Sequence, residues 1–192
     1  MLRRGLASLP SRRPSQCAVC HSWQDQPLCE ACIQRFAQPQ PRCRTCALPL
    51  TGGALQCGAC LRHPPPLDAC LAACDYAWPW TDCIARFKFQ GEAGWAAPLA
   101  TLMRATPWAE PALEAADRVL PMPLHAQRLR ERGFNQALQL ARRLAPERCD
   151  ATLLLRVRDT PSQAGLPRAQ RLRNLRGAFA LEPLRRAEVD GR

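Results

Sequence analysis

The chain of 192 residues changes its pattern of apolar and polar positions near residue 66. Before this point it is rich in proline and poor in strand patterns. After it, short apolar runs alternate with stretches in which apolar residues recur every three or four positions. The runs predict strands at residues 69–78, 117–125, 151–157 and 177–181, and the stretches predict helices at 81–92, 95–106 and 135–145. Strands that alternate with helices favour a parallel α/β sheet.

Three consecutive prolines, Pro64 to Pro66, form a stiff linker where the pattern changes. They predict a boundary between a small N-terminal domain, residues 1–66, and a larger domain, residues 67–192. The apolar fraction of 47% permits a packed core, and no apolar run is long enough to span a bilayer. The N-terminal segment is a basic arm without the continuous apolar stretch of a secretory signal. We therefore expect a cytoplasmic protein that does not insert into a membrane.

The net charge of +11 is carried by 26 arginines and a single lysine, Lys88. Between Arg118 and Arg176 the chain has 13 arginines and 4 acidic residues, which places most of the excess charge there. Arginine binds phosphate through a two-pronged fork. This segment is therefore either a solvated basic face or a surface for phosphate, pyrophosphate or nucleic acid.

Eight of the twelve cysteines form four Cys-x-x-Cys pairs in the N-terminal domain. The pairs are Cys17 with Cys20, Cys29 with Cys32, Cys43 with Cys46, and Cys57 with Cys60. Two thiolates three residues apart can face one metal ion, and two such pairs complete a tetrahedral structural zinc site. Four pairs therefore predict a double zinc ribbon with two zinc ions. The metal supplies the folding energy that so few residues cannot obtain from a core of their own.

Other chemistry fits these cysteines less well. A disulfide framework needs an oxidising compartment, and a redox motif would be one Cys-x-x-Cys within a βαβ unit. Iron–sulfur proteins space their cysteines differently. Cys17, Cys20 and His21 match the pattern of c-type haem attachment, which would leave three pairs unexplained. The pairing stays open between a sequential arrangement, which the short loops favour, and a cross-braced one that joins the first pair with the third.

Two predicted strand ends in the second domain are polar and rich in arginine. The first contains Arg128, Arg130 and Arg132. It continues into Gly133, which permits a tight turn, and Asn135, which can cap a helix whose first N–H groups could hold an anion. The second is residues 156–179. Its first nine residues show no periodic pattern of apolar positions, which is typical of a long loop that is either functional or disordered. Ligands bind at the carboxyl ends of parallel strands. Both stretches are therefore candidates for an anion site.

These motifs resemble those of the ComF family of competence proteins, also called ComF/GntX or amidophosphoribosyltransferase-like, over nearly the whole chain. The resemblance covers the four Cys-x-x-Cys pairs, "YAWPWTDCIARFKFQGE", "PMPLHAQRLRERGFNQALQLARRLA" and "RVRDTPSQAGLPRAQRLRNLRGAF". The matching positions in the second and fourth motifs are Tyr76, Ile84, Lys88, Phe89, Gly91, Arg156, Arg158, Thr160, Gln163, Leu166, Arg171, Asn174 and Phe179. The resemblance implies a Rossmann-like type I phosphoribosyltransferase domain that binds phosphoribosyl pyrophosphate and Mg²⁺.

The same resemblance assigns roles to individual residues. The stretch after residues 121–123 resembles the pyrophosphate loop. The residues implied to bind pyrophosphate or substrate are Arg128, Arg132, Gly133, Asn135, Gln136, Arg171 and Asn174. The residues implied to be catalytic are Arg156, Arg158, Thr160 and Gln163, in a flexible hood that closes over the substrate. Arginines in the hood would offset the charge of the departing pyrophosphate, and closure would exclude water.

The implied pathway is DNA uptake in natural competence, or DNA utilisation, with a helicase-like competence protein as partner. Single-stranded DNA is a second expected partner, which the zinc ribbons and the basic segment suggest independently of the resemblance. The family continues after the strand at 177–181 into another strand, which ends in two acids and a Thr-Thr-Gly turn that holds phosphoribosyl pyrophosphate. This sequence reaches Arg192, after an Asp190–Gly191 turn signal, without that motif. We therefore expect a truncated, incomplete domain, with Mg²⁺ and phosphoribosyl pyrophosphate bound only by a full-length homologue.

Accordingly, we expect these 192 residues not to catalyse phosphoribosyl transfer. The rival hypothesis is a zinc-ribbon module that binds nucleic acid, or acts as a scaffold, without enzymatic activity.

Overall fold

The computed structural model describes residues 15–161, 163 and 165–189. Most of the basic arm and the Asp190–Gly191 turn therefore lie outside the described residues. In chain order the elements are β1 (Ser15–Gln16), β2 (Trp23–Gln24), α1 (Glu30–Phe36), α2 (Gly58–Arg62), α3 (Trp80–Phe89), α4 (Ala96–Arg104), α5 (Ala109–Ala115), α6 (Ala126–Arg132), α7 (Gln136–Leu144), β3 (Leu154–Arg156), α8 (Arg168–Leu175) and β4 (Phe179–Leu181). Short 3₁₀ helices lie at Ala93–Trp95, Pro146–Arg148 and Pro183–Glu188.

The hydrophobic core lies between α3 and α4 and extends into the cysteine-rich region. Trp80 and Phe87 of α3 are buried there together with Leu28. Ile33 and Phe36 of α1 pack against the same cluster. One core therefore joins the first pair of Cys-x-x-Cys motifs to the helices. The domain division at residue 66 stays a prediction.

Several elements confirm the sequence pattern. The helices predicted at 81–92, 95–106 and 135–145 appear as α3, α4 and α7, and the strands predicted at 151–157 and 177–181 appear as β3 and β4. The start of α7 is fixed by Asn135, whose Oδ1 accepts a hydrogen bond from the Leu138 N–H at 3.2 Å. Within the part of the chain that the structure describes, no helix combines the length and the apolar character that a membrane crossing would need.

The predicted parallel Rossmann-like sheet is wrong for the described residues. β3 and β4 form an antiparallel pair, with Leu154 opposite Leu181. A parallel crossover needs a helix that covers the sheet with an apolar face. None of the described side chains of α8, which connects β3 to β4, is buried, and Leu172 is 61% exposed. The described residues after residue 66 are therefore mostly helical, with one small antiparallel sheet.

Two of the predicted strands do not form. Residues 69–78 contain Asp75, which pairs with Arg42 at 2.8 Å, and this contact holds the segment against the cysteine-rich region. In residues 117–125 only a single parallel bridge forms, between Val119 and Cys149. The prolines that follow Val119 lack the N–H groups that a longer ladder would use.

Asp150 ties the start of β3 to the last 3₁₀ helix. Its carboxylate accepts a hydrogen bond from the Thr152 N–H at 3.0 Å and forms ion pairs with Arg185 at 2.6 Å and Arg118 at 3.1 Å. The hydrogen bonds from Arg185, and next the Thr152 N–H, hold the pKa of Asp150 well below its usual range. A lowered carboxyl pKa stabilises the fold above the unfolded pKa of about 4 and loses this effect as the pH falls below it. The contribution is therefore fully present at neutral pH.

The substitution Asp150→Asn keeps the shape of the side chain and removes the charge that pairs with two arginines. We expect the free energy of unfolding at pH 7 to fall by about 1–2 kcal/mol, since the ion pairs lie near the surface and solvent screens them. Asp68→Asn, at an exposed position, is the control, with a change below about 0.5 kcal/mol. Urea denaturation followed by circular dichroism measures both. Equal effects of the two substitutions would contradict the role given to Asp150.

Candidate functional site

The eight thiols of the Cys-x-x-Cys pairs form two groups of four. The first group is Cys17, Cys20, Cys29 and Cys32, and the second is Cys43, Cys46, Cys57 and Cys60; within each, the sulfur atoms lie within 4.8 Å of one another. Cys20 Sγ is 3.7 Å from Cys29 Sγ, and the corresponding distance in the second group is 3.8 Å. A tetrahedral zinc ion with Zn–S distances of about 2.3 Å separates its sulfurs by about 3.8 Å. Both groups therefore fit a metal ion such as zinc, and the sequential pairing is confirmed.

The first pair of each group lies on a tight turn. The residue after its second cysteine is left-handed, with a φ of 60° at His21 and 59° at Ala47. The N–H of His21 donates to the Cys17 carbonyl at 2.9 Å, and the N–H of Ala47 donates to the Cys43 carbonyl at 2.7 Å. This conformation is unfavourable for residues that have a Cβ atom. The first pair of each group therefore lies on the same backbone turn.

The second pair of each group lies at the start of a helix. Cys29 is the N-cap of α1, and Cys57 is the N-cap of α2. The Cys29 N–H donates to Cys17 Sγ at 3.4 Å, and the Cys57 N–H donates to Cys43 Sγ at 3.3 Å. These N–H groups and the positive end of the helix favour thiolate over thiol. The backbone thus prepares each group for a cation.

The thiols of one group differ in acidity. The Ser22 side chain lowers the pKa of Cys20 to about 6, and the Cys57 N–H lowers the pKa of Cys43 to about 6. Burial, which disfavours the charged thiolate, and then the neighbouring sulfurs of its group raise the pKa of Cys60 to about 12. A bound metal ion resolves this conflict by replacing the remaining protons.

The two groups are copies of one module. We call the segment that carries Cys17, Cys20, Cys29 and Cys32 the first module, and the segment that carries the other four thiols the second module. Each thiol of the second group follows its counterpart in the first by 26 or 28 residues, a signal of an internal repeat that the sequence interpretation above did not use. The copies differ in what covers them. Ile33, after the last cysteine of the first copy, packs against the core, whereas Leu61, its counterpart, is 63% exposed. The first module is therefore part of the protein core, and the second lies outside it.

Three arginines of the second half of the chain meet beside α6. Arg128 Nη2 donates to the Thr160 carbonyl at 3.0 Å, and Arg156 donates to the Thr160 hydroxyl. Burial, and then the positive charges of Arg128 and Arg156, lower the pKa of Arg132. The three side chains are thus close enough to repel one another. We call Arg128, Arg132, Arg156 and Thr160 the arginine pocket.

A cavity of about 280 Å³ opens between α6 and the segment that follows β3. It is lined by Gln127, Arg128, Glu131, Asp159, Thr160 and Pro161. Asp159 Oδ1 also lies 3.6 Å from His125 Nδ1. Arg128 is the one guanidinium that lines this cavity, and Glu131 and Asp159 contribute carboxylates. Arg132 and Arg156 belong to the arginine pocket but do not line the cavity; with them counted, three guanidinium groups face two carboxylates. The guanidinium groups of the arginine pocket suit an anion with several oxygen atoms.

Comparison with known proteins gives relatives over most of the chain. The "DNA utilization protein YhgH" of Salmonella typhimurium strain LT2 is 34% identical over 166 residues, which span 81% of this chain and 71% of the relative. The protein of the same name from Escherichia coli K12 is 33% identical over 166 residues, which again span 81% of this chain and 71% of the relative. "Competence protein F" of Haemophilus influenzae is 34% identical over 161 residues, which span 80% of this chain and 69% of the relative.

The chain belongs to the ComF family. No family profile matches it, and no solved structure does. Of the residues that the ComF resemblance nominates, the structure brings Arg128, Arg132, Arg156 and Thr160 together. The others lie around this pocket or along the segment between β3 and β4.

The turn between α6 and α7 holds three further ComF-family positions. The stretch that resembles a pyrophosphate loop is helical as α6 and ends at Gly133, whose φ of 76° favours glycine. Asn135 Nδ2 donates to the Met122 carbonyl at 3.1 Å, and the buried Gln136 accepts from Arg132 Nη1 at 3.4 Å. These residues orient α6 and Arg132 within the fold.

The remaining nominated positions belong to the segment between β3 and β4. Arg158 donates to the Arg176 carbonyl at 2.8 Å, and Asn174 donates to the Pro161 carbonyl at 3.1 Å. Both contacts shape the backbone of the segment. Arg171 is exposed on α8, and Gln163 is half-buried before it.

Two aromatic contacts were missing from the sequence interpretation. The Arg132 guanidinium lies 5.5 Å from the centre of the Phe89 ring, and the Arg156 guanidinium lies 5.4 Å from that of Phe179. Cation–π contacts of this kind restrain a guanidinium that has no carboxylate partner. The two pairs are distant in sequence, so their spacing gave no signal.

Proposed function

We propose that the chain acts in DNA utilisation as a phosphoribosyltransferase-like member of the ComF family. Its arginine pocket binds a pyrophosphate anion, the group that phosphoribosyl pyrophosphate would present to a full-length homologue, and its eight thiols hold two structural zinc ions. The convergence of Arg128 and Arg156 on Thr160 carries the proposal. Because these arginines come from α6 and β3, tertiary structure is needed to bring them together. The names of the relatives, which refer to DNA utilization and competence, support the pathway.

The chemistry of the pocket suits pyrophosphate. This anion carries several charged oxygens, and each guanidinium fork can bind two of them. In a transfer reaction the arginines would stabilise the charge on the departing pyrophosphate. Among the described residues, the two thiol groups are the only metal-binding clusters of His, Cys, Asp and Glu. The Mg²⁺ that the family resemblance implies therefore has no candidate cluster of protein ligands among the described residues.

Two neighbouring arginines of α6 provide a test. Arg128 points to Thr160, whereas Arg130 is exposed. Because charge-assisted hydrogen bonds contribute about 1.5–3 kcal/mol, Arg128→Ala should weaken pyrophosphate binding by about tenfold to a hundredfold. Arg130→Ala removes the same charge from the same helix and should change binding by less than about threefold. Isothermal titration calorimetry measures both variants, and equal losses would show that only net charge matters.

A second candidate function is binding of single-stranded nucleic acid. Trp23, Tyr76 and Trp78 are 72%, 68% and 65% exposed, and exposed aromatic rings near arginines can stack on bases. Trp78 contacts Phe36 of α1, with ring centres 5.0 Å apart, so this surface adjoins the first module. An oligothymidylate that binds the wild type and Arg128→Ala equally would place nucleic acid outside the arginine pocket. The helicase-like partner and the lack of turnover by these residues stay predictions.

A further inference from the structure

Among the residues that the structure describes, Thr160 is the one that accepts hydrogen bonds from two arginines of the arginine pocket. Its backbone carbonyl accepts from Arg128 of α6, and its side-chain hydroxyl accepts from Arg156 of β3. Thr160 is only 3% exposed, although the Asp159 before it and the Pro161 after it are exposed. A polar residue buried at the centre of an otherwise exposed segment needs a physical reason.

Electrostatics supplies this reason. The positive charge of Arg128 contributes to lowering the pKa of Arg156 after burial, so the two guanidinium groups repel each other. Without an acceptor between them, two long side chains of like charge would turn apart into water. That would lower their electrostatic repulsion and increase their conformational entropy. Thr160 offers one acceptor to each. It therefore holds both guanidinium groups at a fixed separation before any ligand arrives.

We propose that Thr160 is a positioning residue that presets Arg128 and Arg156 for a diphosphate group, and that selects diphosphate over a single phosphate. Two guanidinium groups held apart by one residue match an anion with two linked phosphates, whereas orthophosphate engages them less completely. This inference rests on the proposed function, because it assumes that pyrophosphate binds in the arginine pocket.

The opposite effect of Thr160 on anion binding is also testable. If Thr160 instead occupies donors that the anion needs, its removal strengthens binding. The substitution Thr160→Val distinguishes the two effects because it replaces the hydroxyl by a methyl group of similar size. The backbone carbonyl that accepts from Arg128 remains. Thr160→Ser keeps a hydroxyl and is the matched control.

Calorimetric titrations with inorganic pyrophosphate and with orthophosphate test the proposal. We expect Thr160→Val to weaken pyrophosphate binding by about tenfold and orthophosphate binding by less than about threefold, and Thr160→Ser to stay within about threefold of the wild type. The double variant Thr160→Val, Arg156→Ala should bind no more weakly than Arg156→Ala, since Thr160 acts through Arg156. Circular dichroism and zinc content establish that each variant is folded.

Each other outcome overturns a defined part of the account. Unchanged or tighter pyrophosphate binding by Thr160→Val overturns the positioning role alone. Additive losses of pyrophosphate affinity in the double variant overturn the positioning role as well, and so do equal losses of affinity for the two anions. If Thr160→Val is unfolded, Thr160→Ser decides: a folded Thr160→Ser variant that binds pyrophosphate as weakly as Arg156→Ala also overturns the role. Absence of pyrophosphate binding to the wild type overturns the proposed function and this inference together.

Discussion

The substitution Cys32→Ser is expected to lower the thermal midpoint of the whole chain by about 10 °C or more, whereas Cys60→Ser lowers it by only a few degrees. Both changes remove one thiol from a four-thiol group at the same position of the repeated module. The effects differ because the first module contributes Ile33 to the core of α3 and α4. The exposed Leu61 has no such contact. Loss of the first metal therefore uncovers the core, and loss of the second leaves it closed.

Thermal unfolding followed by circular dichroism, together with zinc analysis, separates metal loss from loss of the fold. Each variant should lose one zinc equivalent, so their metal contents match while their midpoints differ. A chelator added to the wild type should reproduce the larger of the two effects, because it removes both ions. Equal midpoints for the two variants would contradict the unequal roles of the modules.

Replacing Trp80 by alanine should reduce the free energy of unfolding by about 4 kcal/mol, the typical cost of removing a buried aromatic side chain. Trp80 is 2% exposed, and its Nε1 donates to the Phe36 carbonyl at 3.2 Å. The residue thus joins α3 to α1 both by packing and by a hydrogen bond. Its loss leaves a cavity and an unpaired carbonyl at the junction between the first module and the helices.

Two further substitutions separate the hydrogen bond of Trp80 from its packing and provide an exposed tryptophan as control. Trp80→Phe keeps most of the ring volume but removes the donor, and about 1–2 kcal/mol should be lost. Trp23→Ala, at a position that is 72% exposed, should change stability by less than about 0.5 kcal/mol. Urea denaturation of the zinc-loaded chain gives all three values. If Trp80→Ala and Trp23→Ala had similar effects, the core described here would be wrong.

The two groups of four thiols could be predicted from the sequence because their geometry depends on local structure. A Cys-x-x-Cys turn and a cysteine at a helix N-cap each depend on a few neighbouring residues. Short loops between the pairs then favoured the sequential grouping that the structure confirms. The different burial of Ile33 and Leu61 was not accessible, because it depends on the distant helices α3 and α4.

The sheet was predicted wrongly because strand pairing is not a local property. The apolar runs at β3 and β4 were recognised, but their direction depends on the connection between them. That connection contains α8, whose arginine-rich sequence lacks the apolar face of a crossover helix. The segment containing Asp75 likewise has the composition of a strand, and an ion pair with Arg42 fixes it elsewhere.

The arginine pocket could be predicted from the sequence only in part. Arg128 and Arg156 were nominated through the family resemblance, because their spacing in the sequence predicts no contact. The structure adds the shared partner Thr160 and the aromatic supports Phe89 and Phe179. These contacts join α6, β3 and the end of α3, and tertiary structure alone reveals them.

The most direct test of the proposed function is a calorimetric titration of the zinc-loaded wild-type chain with inorganic pyrophosphate at low and moderate salt. We predict saturable binding of one pyrophosphate per chain, weakened by added salt because the interaction is largely electrostatic. Orthophosphate should bind more weakly than pyrophosphate under the same conditions. A folded, zinc-loaded chain that shows no saturable binding of pyrophosphate at low salt would contradict the central claim.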